Sequence, residues 1–188
     1  MKTVYAFAFS AVILFSLASV SAGAKKSKEF PDIQEVKKKA FTVIGKEGSG
    51  PSADSAKWTD PLWKEFRTDY AEIKQLVKKD KSGTAGFWGV KSDIDGKFEM
   101  WGGEGIYLAG AEVEDKAEAP AGWVKRKVPE RKYLVVQCSE DDYDEVYERV
   151  VYEYIPSRFY ELTAEVLEYY PRNSMRDDVY LYFPVKKK

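Results

Sequence analysis

The strongest chemical signal in this chain is one carboxylate set among rings. Val166-Leu167-Glu168-Tyr169-Tyr170-Pro171 is followed closely by the alternating segment Val179-Tyr180-Leu181-Tyr182-Phe183-Pro184-Val185. Burying a charged carboxylate in apolar surroundings is costly unless something compensates it. A bound cation or a bound proton would do so, and either makes the place a ligand site. Histidine is absent from all 188 residues, so the commonest general base and metal ligand is missing. Ser-His-Asp and Cys-His catalysis and His-containing zinc sites are thereby excluded. Any chemistry must run on carboxylates, tyrosines, lysines or backbone groups. Asp93-Ile94-Asp95-Gly96 lacks the later ligands of a calcium loop and reads as a hairpin turn. The Gly102 to Gly105 cluster does not follow phosphate-loop spacing. No metal and no cofactor is expected.

Composition narrows the class. With 30 basic and 31 acidic residues the formal net charge is −1. Nucleic acid calls for a basic face, so it is not an expected partner. Lys2, the apolar run Ala6 to Val20 and the small residues Ala22-Gly23-Ala24 read as a secretory signal peptide over residues 1–24. The run is shorter than the about 20 residues that span a bilayer, so no stable membrane anchor is expected after cleavage. The expected location is the periplasm or the extracellular medium. Cys138 is the single cysteine; the fold has no internal disulfide, and Cys138 reads as a small buried hydrophobe in a strand.

Several elements must position Glu168. Residues 25–35 read as a flexible lead-in and 36–188 as one domain. Val36 to Gly45 predicts a strand, and the Gly- and Ser-rich stretch Gly45 to Asp60 a loop. Thr59 or Asp60 could cap a helix with Pro61 in its first turn; Leu62, Phe66, Tyr70, Ile73 and Val77 mark its buried face, and Gly83 its end. Strands are predicted at Gly86–Val90, Phe98–Trp101 and Ile106–Val113. In the second half, Val124–Val128 and Tyr133–Cys138 read as strands. A helix through Tyr143, Val146, Tyr147, Val150, Val151 and Tyr154 is stopped by Pro156. Val166–Tyr170 and Val179–Val185 are extended. The expected class is therefore α+β: duplicated strand-helix-strand-strand units, over 36–115 and 122–188, forming an antiparallel sheet with two helices packed on one face and a ligand cleft between the halves.

Six segments in this order resemble the GyrI-like small-molecule-binding superfamily, also described as the effector-binding domains of multidrug-sensing transcription activators. They are Pro61-Leu62-Trp63-Lys64-Glu65-Phe66, Gly86-Phe87-Trp88-Gly89-Val90, Tyr107-Leu108-Ala109-Gly110-Ala111-Glu112-Val113, Pro120-Ala121-Gly122-Trp123 with Val128-Pro129-Glu130-Arg131-Lys132-Tyr133, Leu167-Glu168-Tyr169-Tyr170, and Tyr182-Phe183-Pro184-Val185. The resemblance implies an aromatic cleft in which a glutamate matching Glu168 faces lipophilic cations. Some stand-alone members resemble hydrolases of cyclopropane-bearing compounds that use such a glutamate. No segment of the sequence reads as a helix-turn-helix, so a transcription activator is not the expected role.

The expected site is thus Glu168 walled by Trp88, Tyr107, Tyr147, Tyr170 and Tyr182, while Trp63, Phe66, Val146 and Val150 read as core. Glu168 is either an ionised pocket carboxylate facing a cationic ligand, or an exposed strand glutamate, or one paired with Arg172 or Arg176. Three functions compete: an exported protein that binds an aromatic or cationic small molecule, a carboxylate-dependent hydrolase in the same cleft, and an envelope protein-interaction module. The reading leans away from an enzyme. In the hydrolase, Glu168 is expected to carry a raised pKa suited to proton transfer.

Overall fold

The structure is a computed structural model that describes residues 30–80, 83–84, 86–172 and 178–188. The segment read as a signal peptide and Arg176 lie outside the described residues. Strand β1 (Ile33–Lys38) is followed by β2 (Phe41–Pro51), α1 (Ser55–Asp69), a two-residue ribbon β3 (Lys79–Asp80) and β4 (Gly83–Thr84), then β5 (Phe87–Asp93) and β6 (Glu104–Val113). After β7 (Val124–Val128) and β8 (Arg131–Ser139) comes α2 (Tyr143–Arg149). It runs through a π-helical turn at Val150–Tyr154 into α3 (Ile155–Ser157). Strands β9 (Tyr160–Leu162), β10 (Leu167–Tyr170) and β11 (Asp178–Lys187) complete the chain.

One nine-stranded antiparallel sheet carries the fold, in the order β1-β8-β11-β10-β5-β6-β2-β7, with β9 paired to the end of β11. The order strand, helix, strand, strand occurs twice, as β2-α1-β5-β6 and β8-α2-β10-β11. The two sets meet at one seam, where β10 pairs with β5 through Glu168↔Gly89, Tyr169↔Trp88 and Tyr170↔Phe87. Both helices lie on the same face. Thr59, Trp63 and Phe66 recur at helical spacing and bury α1 against Ile44, Tyr107, Ala109 and Ala111. On the other half, Val146 and Val150 pack with Leu134, Val136, Leu181 and Phe183. A third cluster fills the opposite face across both halves, with Phe41, Val43, Trp88, Leu108, Tyr133 and Leu167 at its centre. This is the α+β architecture that the sequence indicates.

Several boundaries differ from the sequence reading, each for a physical reason. The lead-in is partly ordered: β1 begins at Ile33 and pairs with β8 from Ile33↔Val136 onward. Gly45 to Pro51 continues β2 rather than forming a loop. Its glycines let other groups come close: a Cβ on Gly45 would sit 2.2 Å from the Ala109 carbonyl oxygen, and one on Gly50 would sit 2.7 Å from the Trp58 ring. The helix therefore starts earlier, at Ser55, with Pro61 inside it, and ends at Asp69 rather than near Gly83. Phe98–Trp101 is not a strand. Asp95-Gly96 does turn, with Gly96 at φ +78° and the Asp93 amide donating to the Lys97 carbonyl at 2.8 Å, but β5 pairs with β6 instead. Pro156 sits within the last helical turn instead of ending the helix. Cys138 is free and buried in β8, and burial pushes its thiol up to about 11.

The crowding at Gly45 gives a stability prediction. Gly45→Ala forces its methyl into the backbone of β6, and overpacking of this kind costs about 1–3 kcal/mol. Chemical denaturation is expected to show a midpoint shifted down with an unchanged slope. An unchanged midpoint would mean that β2 can move aside freely.

Candidate functional site

Alternation along three neighbouring strands delivers the centre of the site to the helical face. On β10, Glu168 and Tyr170 point to that face and Leu167 and Tyr169 to the other. On β5 the same parity carries Phe87, Gly89 and Lys91; on β6 it carries Tyr107. Gly89 lies opposite Glu168 in the ladder, and the absence of its side chain matters. A Cβ there would sit 2.1 Å from the Tyr107 hydroxyl and 2.6 Å from Glu168 Oε2. The gap lets these two oxygens meet over the seam.

Glu168 is 6 % exposed and accepts four hydrogen bonds. Lys91 Nζ donates to Oε1 at 2.6 Å, and the Tyr143 hydroxyl donates to the same oxygen at 2.7 Å. The Tyr107 hydroxyl donates to Oε2 at 2.5 Å and the Tyr170 hydroxyl at 3.1 Å. Trp63 Nε1 in turn donates to the Tyr107 hydroxyl at 2.9 Å. Each helix thus sends one aromatic residue to the centre, Trp63 from α1 and Tyr143 from α2, while the strands supply the rest.

The electrostatics follow from this geometry. Burial pushes the Glu168 carboxyl up, but the Lys91 charge and the hydrogen bonds from Lys91, Tyr107 and Tyr143 outweigh it. The group is held below the usual carboxylate range and stays ionised. Burial likewise works against the Lys91 charge, and Glu168 more than offsets it, so Lys91 is held above its ordinary value. Tyr107, Tyr143 and Tyr170 are all pushed up, by burial first and the Glu168 charge second, so they remain hydroxyl donors. The expected raised pKa of Glu168 is therefore corrected. The carboxylate is compensated neither by a bound proton nor by Arg172, but by an ammonium two positions along β5 from the glycine it faces. Arg172 instead donates to the Tyr70 hydroxyl at 2.6 Å and lies over the Tyr70 and Phe87 rings.

This centre is the floor of a cleft of about 580 Å³ between α1 and α2. Trp63, Tyr107, Tyr143, Tyr170 and Trp101 give it ring faces and edges; Asp60, Glu140, Asp144 and Arg67 sit at its exposed mouth. Trp63 meets Tyr170 edge to face at 5.0 Å, and the Arg67 guanidinium lies 5.6 Å from the Trp63 ring. Trp101 is tied down by its indole N–H to the Ser92 carbonyl at 2.6 Å and by its amide to Glu165 at 2.9 Å. Among the described residues no cluster of His, Cys, Asp and Glu could hold a metal ion, and no helix is long and apolar enough to cross a membrane.

Of the six residues expected at the site, the structure brings together Glu168, Tyr107 and Tyr170. Trp88 and Tyr182 lie on the opposite face of the sheet, 5.0 Å apart in the third core cluster, because their strand parity is opposite to that of Gly89 and Glu168. Tyr147 stacks on Tyr143 at 6.3 Å and packs on Phe183 just behind the cleft wall. Trp63, read as core, is both core and cleft wall. Lys91, Trp101 and Tyr143 were missed. Lys91 was legible in principle, since it continues the Phe87-Gly89 parity one step beyond the strand end expected at Val90.

Fold and site together define a GyrI-like small-molecule-binding domain. The Cass2 family, described as integron-associated effector binding protein, matches residues 35–185. The chain belongs to this family, whose members bind small-molecule effectors. It is similar to SAV2435, solved bound to tetraphenylphosphonium, at 16 % identity and a TM-score of 0.64, covering 82 % of this chain and 94 % of that one. An integron cassette protein of Vibrio cholerae is similar at 18 % identity and a TM-score of 0.56, covering 82 % and 95 %. The C-terminal domain of EcmrR is similar at 14 % identity and a TM-score of 0.58, covering 85 % and 100 %. No functionally curated protein matches the sequence.

The buried pair at the centre has a testable signature. Lys91→Met strands an ionised carboxylate, at a cost of about 3–5 kcal/mol, whereas Lys91→Met/Glu168→Gln removes both charges and recovers most of it. Because the folded pKa of Glu168 is depressed, its contribution is present above the ordinary value of 4.5 and lost as pH falls through the lower folded value. Acid titration of urea stability is therefore expected to fall less steeply for the double variant than for the wild type. Parallel acid profiles would remove Glu168 from the account.

Proposed function

We propose that this protein binds lipophilic aromatic molecules, and lipophilic cations in particular, in the cleft between α1 and α2, with Glu168 as the organising group. The observation that supports this most is the buried Glu168 carboxylate, which accepts from Lys91 and from three tyrosines and so fixes the orientation of those rings at the cleft floor. A cleft of about 580 Å³ falls in the range of drug-sized ligands. Ring faces attract cations by roughly 0.5–2 kcal/mol each, depending on desolvation. Asp60, Glu140 and Asp144 at the mouth outnumber Arg67 there and favour a positive guest. Two or three ring contacts with that field approach the about 8 kcal/mol of micromolar binding. The ligand of the similar SAV2435 structure, tetraphenylphosphonium, has this chemistry and is a natural probe. The same proposal includes export to the periplasm or medium, on the signal-like residues 1–24.

Hydrolysis at Glu168 is less well supported. A general base works best with a proton affinity near the operating pH, and Glu168 is shifted the other way with all its hydrogen-bonding capacity engaged.

Thermal-shift and calorimetric titration with tetraphenylphosphonium test the proposal. A ligand at 100 times its Kd adds about 2.7 kcal/mol of stability. The triple variant Asp60→Asn/Glu140→Gln/Asp144→Asn is expected to weaken the cation about tenfold, a loss of about 1.4 kcal/mol, and to leave a neutral aromatic probe unchanged. Absence of any stabilisation across a panel of lipophilic cations and aromatic compounds would sink this reading and favour a protein-interaction role.

A further inference from the structure

We propose that Lys91 sets the charge selectivity of the cleft. Its ammonium occupies the place beside Glu168 that a ligand cation would otherwise take, so a cationic guest is held by the rings and the mouth carboxylates rather than by Glu168. This deepens the binding reading above and rests on it.

The geometry carries the assignment. Lys91 Nζ lies 2.6 Å from Glu168 Oε1 and 3.4 Å from the Tyr143 hydroxyl. It also stands 6.0 Å from the centre of the Trp101 ring and 5.9 Å from that of Tyr107, at the outer reach of cation–ring attraction. A carboxylate and two aromatic rings are the groups with which a protein grips a small lipophilic ammonium, and here they already hold one that is covalently tethered. A carboxylate offers about four lone-pair sites. Lys91, Tyr143, Tyr107 and Tyr170 take four hydrogen bonds from it, so a guest cation reaching the floor must displace one of them. Displacing Lys91 leaves two positive charges facing one carboxylate in a poorly hydrated place. The floor is therefore electrically neutral as folded, and the negative field that a guest meets comes from Asp60, Glu140 and Asp144.

The test compares tetraphenylphosphonium with triphenylphosphine oxide, a neutral molecule carrying the same kind of rings. Calorimetric Kd values are measured on the full chain at about pH 8, where glutamate is ionised. Lys91→Met is expected to tighten the cation about tenfold or more, while the neutral probe stays within about threefold. Glu168→Gln leaves Lys91 uncompensated and is expected to weaken the cation by about the same factor, again sparing the neutral probe. In Lys91→Met/Glu168→Gln the floor is neutral again, and the ratio of the two Kd values is expected to return to within about threefold of the wild-type ratio. The double variant carries the decision if either single variant does not fold. A loss of cation affinity of about tenfold or more in it would mean that the guest sits directly on Glu168, and would overturn the role of Lys91. Equal cation Kd in wild type and Lys91→Met would overturn it as well. Wild-type protein that binds the cation with either of these results leaves the binding reading intact; wild-type protein that binds neither probe overturns that reading and this inference together.

Discussion

Everything at the centre of this molecule depends on one carboxylate having enough donors to stay charged out of water. Glu168 would be too costly to bury by itself. Lys91 from one half of the sheet and three tyrosines from both halves and a helix make it tolerable. The dependence runs both ways. The tyrosine hydroxyls and the ammonium all converge on it, so the carboxylate fixes the rings that shape the cleft. Removing either charge of the pair is therefore a different experiment from removing both, because an unpaired buried charge is far costlier than none.

The overall fold was legible because its signals are local. The spacing of Leu62 and Phe66 in α1, the turn at Asp95-Gly96 and the alternation of Val179 to Val185 each lie within a few residues. What escaped depends on partners distant in the chain. The glycines of β2 look like a loop until one sees that Ala109 and Trp58 press on them from β6 and α1. Trp88 and Tyr182 look like cleft walls until the register of β5, β10 and β11 fixes which side chains share a face with Glu168. A one-residue change of parity decides between core and cleft, and composition cannot supply it. Glu168 itself was legible because an acidic residue among rings is unusual in any fold. Its partner Lys91 was legible only through the parity of β5, a weaker signal, because a lysine near a turn is ordinary.

Membership of an effector-binding family and likeness in fold to SAV2435 and the EcmrR C-terminal domain agree with this architecture. At 14–18 % identity those structures share the fold, and the chemistry of the floor must be read from this chain's own residues. The Lys91–Glu168 pair is such a feature. Its ammonium and carboxylate cancel at the floor, while Asp60, Glu140 and Asp144 at the mouth are exposed and open to screening by salt.

The seam between the half-sheets has a mechanical consequence. The floor of the cleft is built on the three residue pairs of β5 and β10 and is backed by the core cluster on the far face. The walls belong to different bodies: α1 packs on β2 and β6, and α2 on β8. Shifting the floor would break ladder hydrogen bonds and disturb that cluster, whereas spreading the walls would leave the ladder intact and act on side chains: the Trp63–Tyr107 and Tyr143–Glu168 hydrogen bonds and the packing of each helix on its own core cluster. The cleft thus resembles a book whose spine is a continuous backbone ladder and whose two covers are fastened to it by side chains alone.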